Sequence, residues 1–486
     1  METEQQPTHV EELESDLLDT PAAGPAAIRG SALRAAGYIA GILLSLASVP
    51  LLIRHLGESD YGRYVLVISL VTIVQGITDV GLGQIGVREY STRPPPERGP
   101  LMRNLLGVRF TMTALGIVLG CAFAVIAGYG EAVILGTLFA GLGMVLTVVQ
   151  GTFAVPLAAQ LRLGWVTGLD LLRQLLAVSA IVILVLVGAK LLAFFAVLVP
   201  VALAVLAATV ALVRGTMPLR PTFQRDEWAA LLRAVLPFAA AVVIGSLYLR
   251  LTVVLMSLLA SSKQTGYYAI GFSVISVLIA IPALTVGSAL PVLARAARDD
   301  SERLSYVLSR LMEITLIVGV GLALMLALGA DFVVRVLAGT GGPAVAVLRI
   351  QSIALVTVFV SSSLQYGLLA LHRHRQQLIM SATGLLVSAV LTLVLVPVLA
   401  AEGAALAFVG GETVLLVYAF VFLRSAHPTM RFSMRVPVRV AAATALAGLV
   451  ALIPGLGSLP SALLAGVVYF GVLAATGAIP AELKHA

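Results

Sequence analysis

The sequence predicts an all-α polytopic membrane protein of about 14 transmembrane helices, built as two six-helix halves in a parallel repeat plus two C-terminal helices. Three observations carry this expectation. The 486 residues are 59% hydrophobic and only 11% charged, and their mean hydropathy is +1.04, whereas soluble domains carry about 25% charged residues. The apolar residues fall in runs of about 20, the length that crosses a bilayer core of about 30 Å. The cationic residues gather in every second connection, as in chains with one basic, cytoplasmic face.

Hydropathy and turn residues place the spans near 33–53, 62–86, 105–127, 132–156, 168–188, 192–213, 231–257, 266–292, 305–329, 347–370, 377–399, 403–423, 437–455 and 460–479. An even number puts both termini on one side. With that side inside, 24 of the 31 Lys and Arg residues lie in inner segments, six (Arg54, Arg63, Lys190, Lys263, Arg335 and Arg349) lie in outer ones, and Arg250 is left over. A missed span would exchange the two sides downstream and erase the bias, so the ratio supports both the count and a multi-pass protein of the cytoplasmic (inner) membrane with cytoplasmic termini.

Residues 1–28 carry seven acidic residues with Pro7, Pro21 and Pro25 and read as a disordered acidic cytoplasmic tail, the reverse of a basic signal peptide. Residues 29–214 are expected to form an N-terminal six-helix bundle, 215–228 a proline-punctuated cytoplasmic linker, 229–424 a C-terminal six-helix bundle, and 425–486 two additional spans with a short tail. The linker separates two copies of one pattern, Gly-x-Tyr-x-x-x-x-Ser, at Gly62–Ser69 and Gly266–Ser273, offset by 204 residues. Six spans lie between them, so both copies cross the membrane in the same direction, as in a parallel-repeat transporter.

Several functions are excluded. No phosphate-loop, zinc-protease, Cys-x-x-Cys or nucleophile-elbow motif occurs, the lone Cys121 rules out an intrachain disulfide, and the outer loops are too short to hold a catalytic domain. No catalytic residue, metal site or cofactor is therefore expected, nor nucleic acid as a partner. The net charge of +7 expresses topology. His372-Arg373-His374-Arg375 sits in an inner connection where basic residues belong.

What stands out is the polar content of the spans, because an ionisable group at membrane depth costs roughly 2.5–3.5 kcal/mol and needs a cavity or a partner. Asp79, Arg250 and Glu412 are such groups, with Glu313 nearer an inner end beside Arg310. At about 100° per residue, Thr72, Gln75, Asp79 and Gly86 share one stripe of the second span, and Ser246, Arg250 and Ser257 share one stripe of the seventh. Tyr38, with Gly41, Ser45 and Ser48, makes a weaker stripe on the first. The cavity candidates are thus Arg250, Ser246, Ser257, Asp79, Gln75, Glu412 and Tyr38. Two readings of Arg250 stay open: an ion pair with Asp79 or Glu412, or a fork for an anionic substrate. Asp79 has its own bland reading, a pair with Arg88 near the inner interface.

Two stretches resemble a known family. Leu56-Gly57-Glu58-Ser59-Asp60-Tyr61-Gly62-Arg63-Tyr64, followed by Asp79-Val80-Gly81-Leu82, is similar to the start of bacterial polysaccharide-export (oligosaccharide) flippases of the multidrug, oligosaccharidyl-lipid and polysaccharide transporter superfamily. Gly266-Tyr267-Tyr268 matches the opening of that family's eighth span. Its seventh span commonly carries an Arg with an acid two residues on, and here Arg250 is followed by Thr252. The resemblance implies a non-enzymatic flippase that carries a polyprenyl-pyrophosphate-linked oligosaccharide from the inner to the outer leaflet by alternating access, for surface polysaccharide biosynthesis. It further implies contact with membrane lipids and with glycan polymerase or assembly machinery, and Na+ or H+ as the coupling ion if there is one. A multidrug or cation antiporter of the same fold is the competing reading.

Overall fold

The computed structural model describes residues 23–214, 221–299, 301–339, 341–426 and 434–478, and among them there is no β-strand. Residues 1–22 of the predicted tail and 215–220 of the linker lie outside the described residues. In chain order the helices are α1 (Ala23–Asp79), α2 (Leu82–Thr92), α3 (Pro95–Ile126), α4 (Glu131–Phe153), α5 (Val155–Ala159), α6 (Leu163–Leu186), α7 (Leu191–Ala196) and α8 (Leu198–Leu212). There follow α9 (Arg225–Leu259), α10 (Ser262–Ser288), α11 (Leu290–Asp299), α12 (Ser301–Ala338), α13 (Pro343–Ala370), α14 (His374–Ala426), α15 (Arg435–Gly448) and α16 (Ser458–Ala475).

Among the described residues, 12 helices are long and apolar enough to cross a membrane. Two are far longer than one crossing: α1 has 57 residues and α14 has 53, against about 20 for one span. Each is broken once. Gly57 takes φ 71, ψ 175 inside α1, a conformation that glycine adopts without penalty. Ala400 takes φ 48, ψ −123 inside α14, three residues after Pro397. Dividing α1 and α14 at these points turns the 12 helices into 14 segments of spanning length. The Gly57 of the family-like stretch is thus the turn between two spans.

The second leg of α1 ends sooner than hydropathy predicts. Val80 and Gly81 both have positive φ (36 and 87), which stops the helix at Asp79 and starts α2 in a new direction. The predicted stripe of Thr72, Gln75, Asp79 and Gly86 is therefore broken. Gly86 lies on α2, buried, and a Cβ there would run into Leu105 and press on Val155.

The chain folds into two compact units that do not follow chain order. One comprises residues up to Ser48, Ile77–Val125 and Ile134–Ala239; the other comprises Val49–Gly76, Ile126–Val133 and Ala240 onward. The first unit has a core in which Leu82 and Ile85 of α2, Leu101 and Leu105 of α3, Val155 of α5 and Leu231 of α9 are buried together. Its lipid-facing side is as apolar as its core: Leu186 and Val187 are 80% and 77% exposed, a face that only hydrocarbon solvates well.

In the second unit α12, α13 and α14 carry a continuous core through Leu304, Leu308, Leu364, Leu368, Leu415 and Leu423. The C-terminal pair α15 and α16 joins it by packing on α12, where buried Tyr469 donates a hydrogen bond to the Ile317 carbonyl at 3.0 Å. This unit also contains both copies of the repeated pattern. A Cβ on Gly62 would meet the Ser262 carbonyl, and a Cβ on Gly266 would meet the Glu58 carbonyl. Since 58 and 262, like 62 and 266, are partners at the 204-residue offset, the contact is reciprocal. Reciprocity of this kind is what a local two-fold axis between two parallel helices produces.

Candidate functional site

Arg250 lies on α9 in the second unit. The second leg of α1 runs antiparallel to α9: Gly76 abuts Ser246, and Leu66 and Ser257 line one cavity. As numbers fall on one helix they rise almost equally on the other, which puts Thr72 and Ile73 opposite Arg250. Glycine at 76 is what permits so close an approach to α9, since a Cβ there would collide with Ser246.

The guanidinium is half-buried. Its Cζ sits 6.0 Å from the centroid of the Phe272 ring of α10, at the outer limit of a cation–π contact. Phe272 stacks on Tyr268 at 5.9 Å and meets Phe408 edge-on at 5.9 Å, so α10 offers an aromatic wall. Tyr61 and Tyr268 act electrostatically on the charge. Tyr61 is itself held by the Ser273 hydroxyl at 2.6 Å. Among the described residues Arg250 has no ion pair and no hydrogen bond to another side chain.

The ion-pair reading of Arg250 fails because both proposed acids are engaged elsewhere. Glu412, on the second leg of α14 and 5% exposed, accepts a hydrogen bond from Tyr248 Oη at 2.8 Å. Tyr248 reaches it past Gly411, where a Cβ would press on the hydroxyl. Tyr248 is two residues from Arg250 on α9 and so points to the other side of that helix.

Asp79 belongs to the first unit, where its Oδ1 accepts from Arg109 Nε at 2.9 Å. The predicted pair with Arg88 is not formed; Arg88 binds Glu89 at 2.9 Å. Arg109 is only 6% exposed and also donates from Nη1 to Thr152 Oγ1 at 2.9 Å. Charge sidedness alone puts Arg109 among the inner-segment cations; its position on α3, beside α4 and the end of α1, makes it a second buried arginine. Gln150 completes this polar layer by donating to Thr209 Oγ1 at 3.0 Å.

The remaining candidates are dispersed. Ser246 bonds the Val243 carbonyl and packs on Gly76. Ser257 pairs with Tyr129 at 2.5 Å beside a cavity of about 310 Å³ lined by Gly62, Arg63 and Thr265, about 10 Å along α9 from Arg250. Gln75 is half-buried on the second leg of α1. The side chain of Tyr38 lies outside the described residues. Glu313 pairs with Arg310 at 2.8 Å, as its interfacial position implied. No group of three or more His, Cys, Asp or Glu able to hold a metal occurs among the described residues.

The sequence profile of the polysaccharide biosynthesis protein family matches residues 27–297, more than half of the chain and the whole of the Arg250 region. The chain belongs to the polysaccharide biosynthesis protein family. No match was found among curated proteins. Among solved structures, this family member resembles the lipid II flippase MurJ in an inward closed conformation, with TM-score 0.75 and 11% identity over 91% of this chain and 98% of that one. It also resembles an inward-facing multidrug resistance MATE family transporter of the MOP superfamily, with TM-score 0.65 and 14% identity over 80% and 95% of the two chains. A MOP superfamily transporter from Pyrococcus furiosus, described as having a binding pocket of reverse polarity, follows with TM-score 0.53 and 14% identity over 84% and 96%. At these identities the likeness establishes the fold: a multi-pass bundle shared by flippases and drug transporters.

Proposed function

We propose that the protein is a flippase that translocates a polyprenyl-pyrophosphate-linked oligosaccharide from the inner to the outer leaflet of the cytoplasmic membrane, for surface polysaccharide biosynthesis. The observation that carries this reading is the half-buried Arg250, set at mid-span against an aromatic wall with no carboxylate to neutralise it. Such a guanidinium costs free energy unless an anion meets it, and its planar fork matches a pyrophosphate oxygen pair. Thr252 replaces the acid that resembling flippases place there, which leaves the charge open. Alternating access would run between the halves 29–214 and 229–424, with the termini cytoplasmic, no chemical step on the substrate, and the polyprenyl tail remaining in lipid.

One observation favours the competing antiporter reading. Glu412 is a buried carboxylate with a single tyrosine donor and, among the described residues, no cationic partner, a suitable place for a coupling cation or for a cationic substrate. The two readings separate in cells. Arg250→Ala should accumulate lipid-linked precursor on the inner leaflet and deplete surface polymer at normal protein levels. Unchanged glycan with altered drug tolerance would overturn the flippase assignment.

A further inference from the structure

The first unit contains a cavity that the Arg250 site does not use. It has a volume of about 440 Å³, within the roughly 300–1,000 Å³ of small-molecule sites, and its polar side chains are Asp79, Gln84, Arg109, Gln150 and Asp170. Arg109 is the anchor. Its Nε and Nη1 are taken by Asp79 and Thr152, while Nη2 makes no hydrogen bond among the described residues. That nitrogen faces Gly83 of α2 and Gly151 of α4: Cβ atoms there would stand 3.5 and 3.8 Å from it. These are ordinary contact distances, so alanine would fit and packing does not demand glycine at either position. What two absent side chains do is keep the space before Nη2 open.

The chemistry of this space is mixed and balanced. Arg109 Nη2 donates; Asp79 Oδ2 and Gln150 Oε1 have lone pairs left after Oδ1 and Nε2 are engaged; the exposed Gln84 amide does both. The Asp79–Arg109 pair is neutral as a unit, and Asp170 at the rim is paired with Arg173 at 3.3 Å. A simple anion would meet Asp79 and a simple cation would meet Arg109, and each would be opposed. A ring of hydroxyls, each both donor and acceptor, meets alternating partners on the polar side, while its C–H face rests on Val166 and Leu169.

We propose that this cavity binds a neutral glycosyl group, the class of head group that the flippase reading gives the substrate. The proposal rests on the flippase reading, and its test separates the two. Purified full-length protein in nanodiscs is titrated with farnesyl pyrophosphate and with farnesyl pyrophosphate bearing N-acetylglucosamine. Gly151→Val, which fills the space, and Gln84→Leu, which removes an exposed amide without touching the core, are each expected to weaken the glycosylated probe about tenfold. That is the loss of one or two neutral hydrogen bonds. The bare pyrophosphate should bind both variants as it binds the native protein, which also certifies their folding. Unchanged affinity for the glycosylated probe, or equal weakening of both probes, overturns the subsite. Chitobiose alone binding as tightly as the glycosylated probe would identify a soluble saccharide as the occupant and overturn it too. Arg250→Ala is expected to weaken the bare pyrophosphate; if it does not, the pyrophosphate site fails independently of the sugar site.

Discussion

Two arginines, Arg109 buried in the first unit and Arg250 half-buried in the second, have opposite surroundings. Arg109 is saturated on two of its nitrogens by a carboxylate and a threonine hydroxyl. Arg250 lies against the Phe272 ring and feels Tyr61 and Tyr268, with no ion pair among the described residues. Burying a charge is costly in both cases, but the cost is met differently. In the first unit an internal acid cancels it, so the pair is part of the fold. In the second unit no carboxylate pairs with the guanidinium among the described residues. The same residue type thus carries a charge paired with a carboxylate in one place and, among the described residues, an unpaired charge in the other, and the neighbours decide which.

This contrast predicts how each site breaks. The largest effect belongs to Arg250→Ala, for which binding of farnesyl pyrophosphate should fall about 100-fold, the equivalent of roughly 2.7 kcal/mol and of one or two charge-assisted hydrogen bonds. Thermal unfolding of that variant should be unchanged or slightly improved, because no internal partner is orphaned. Arg250→Lys should retain part of the affinity, a point charge without the fork.

Removing the acid from the other pair should reverse the pattern. Asp79→Ala leaves Arg109 buried and unpaired, and is expected to cost about 3–5 kcal/mol of stability, read as a lowered unfolding temperature in detergent, with pyrophosphate affinity little changed. The double variant Asp79→Leu with Arg109→Leu should recover much of the loss, because both charges go together. If Asp79→Ala weakens pyrophosphate binding as strongly as Arg250→Ala, the division into a structural and a receptive arginine is wrong.

A smaller effect converts one site toward the other. Thr252→Asp restores an acid two residues after Arg250 and should lower pyrophosphate affinity about tenfold by partly neutralising the guanidinium. The smallest effect tests the local two-fold axis. Tyr61 Oη binds Ser273 Oγ, and the repeat-related pair would be Thr265 with Ser69. Thr265 is too short to reach and bonds the Ser261 carbonyl instead, which leaves Ser69 Oγ buried without a partner. Ser273→Ala should therefore cost about 1 kcal/mol and Ser69→Ala nothing, or a slight gain. Equal losses in chemical denaturation would show that the repeat is not the reason for the orphaned hydroxyl.

Much of the fold was legible in the chain because lipid imposes rules that act residue by residue. Apolar length and the turn residues between apolar runs follow from partition between water and hydrocarbon. The helix break at Val80–Gly81 was less visible, since hydropathy continues through it and only backbone geometry interrupts the span. Arg109 was missed for a related reason. It lies only a few residues inside the third span, where a snorkelling interfacial cation and a buried one look alike. The weak signal that existed was the polar residue on each neighbouring span, Asp79 and Thr152, but nothing in one dimension pairs them.

Arg250 differs in that its depth alone marks it, so the anomaly is readable from the chain. Whether the charge is cancelled is not, because Asp79 and Glu412 each stand more than 160 residues from Arg250 in sequence, and only packing decides which of them meet. Read alone, the chain specifies a 14-segment membrane bundle with a repeated glycine pattern and a mid-membrane cation, since those properties depend on each segment's own solubility. Tertiary structure assigned Asp79 to Arg109 and Glu412 to Tyr248, and so left Arg250 open, because charge compensation is a property of pairs brought together across the fold.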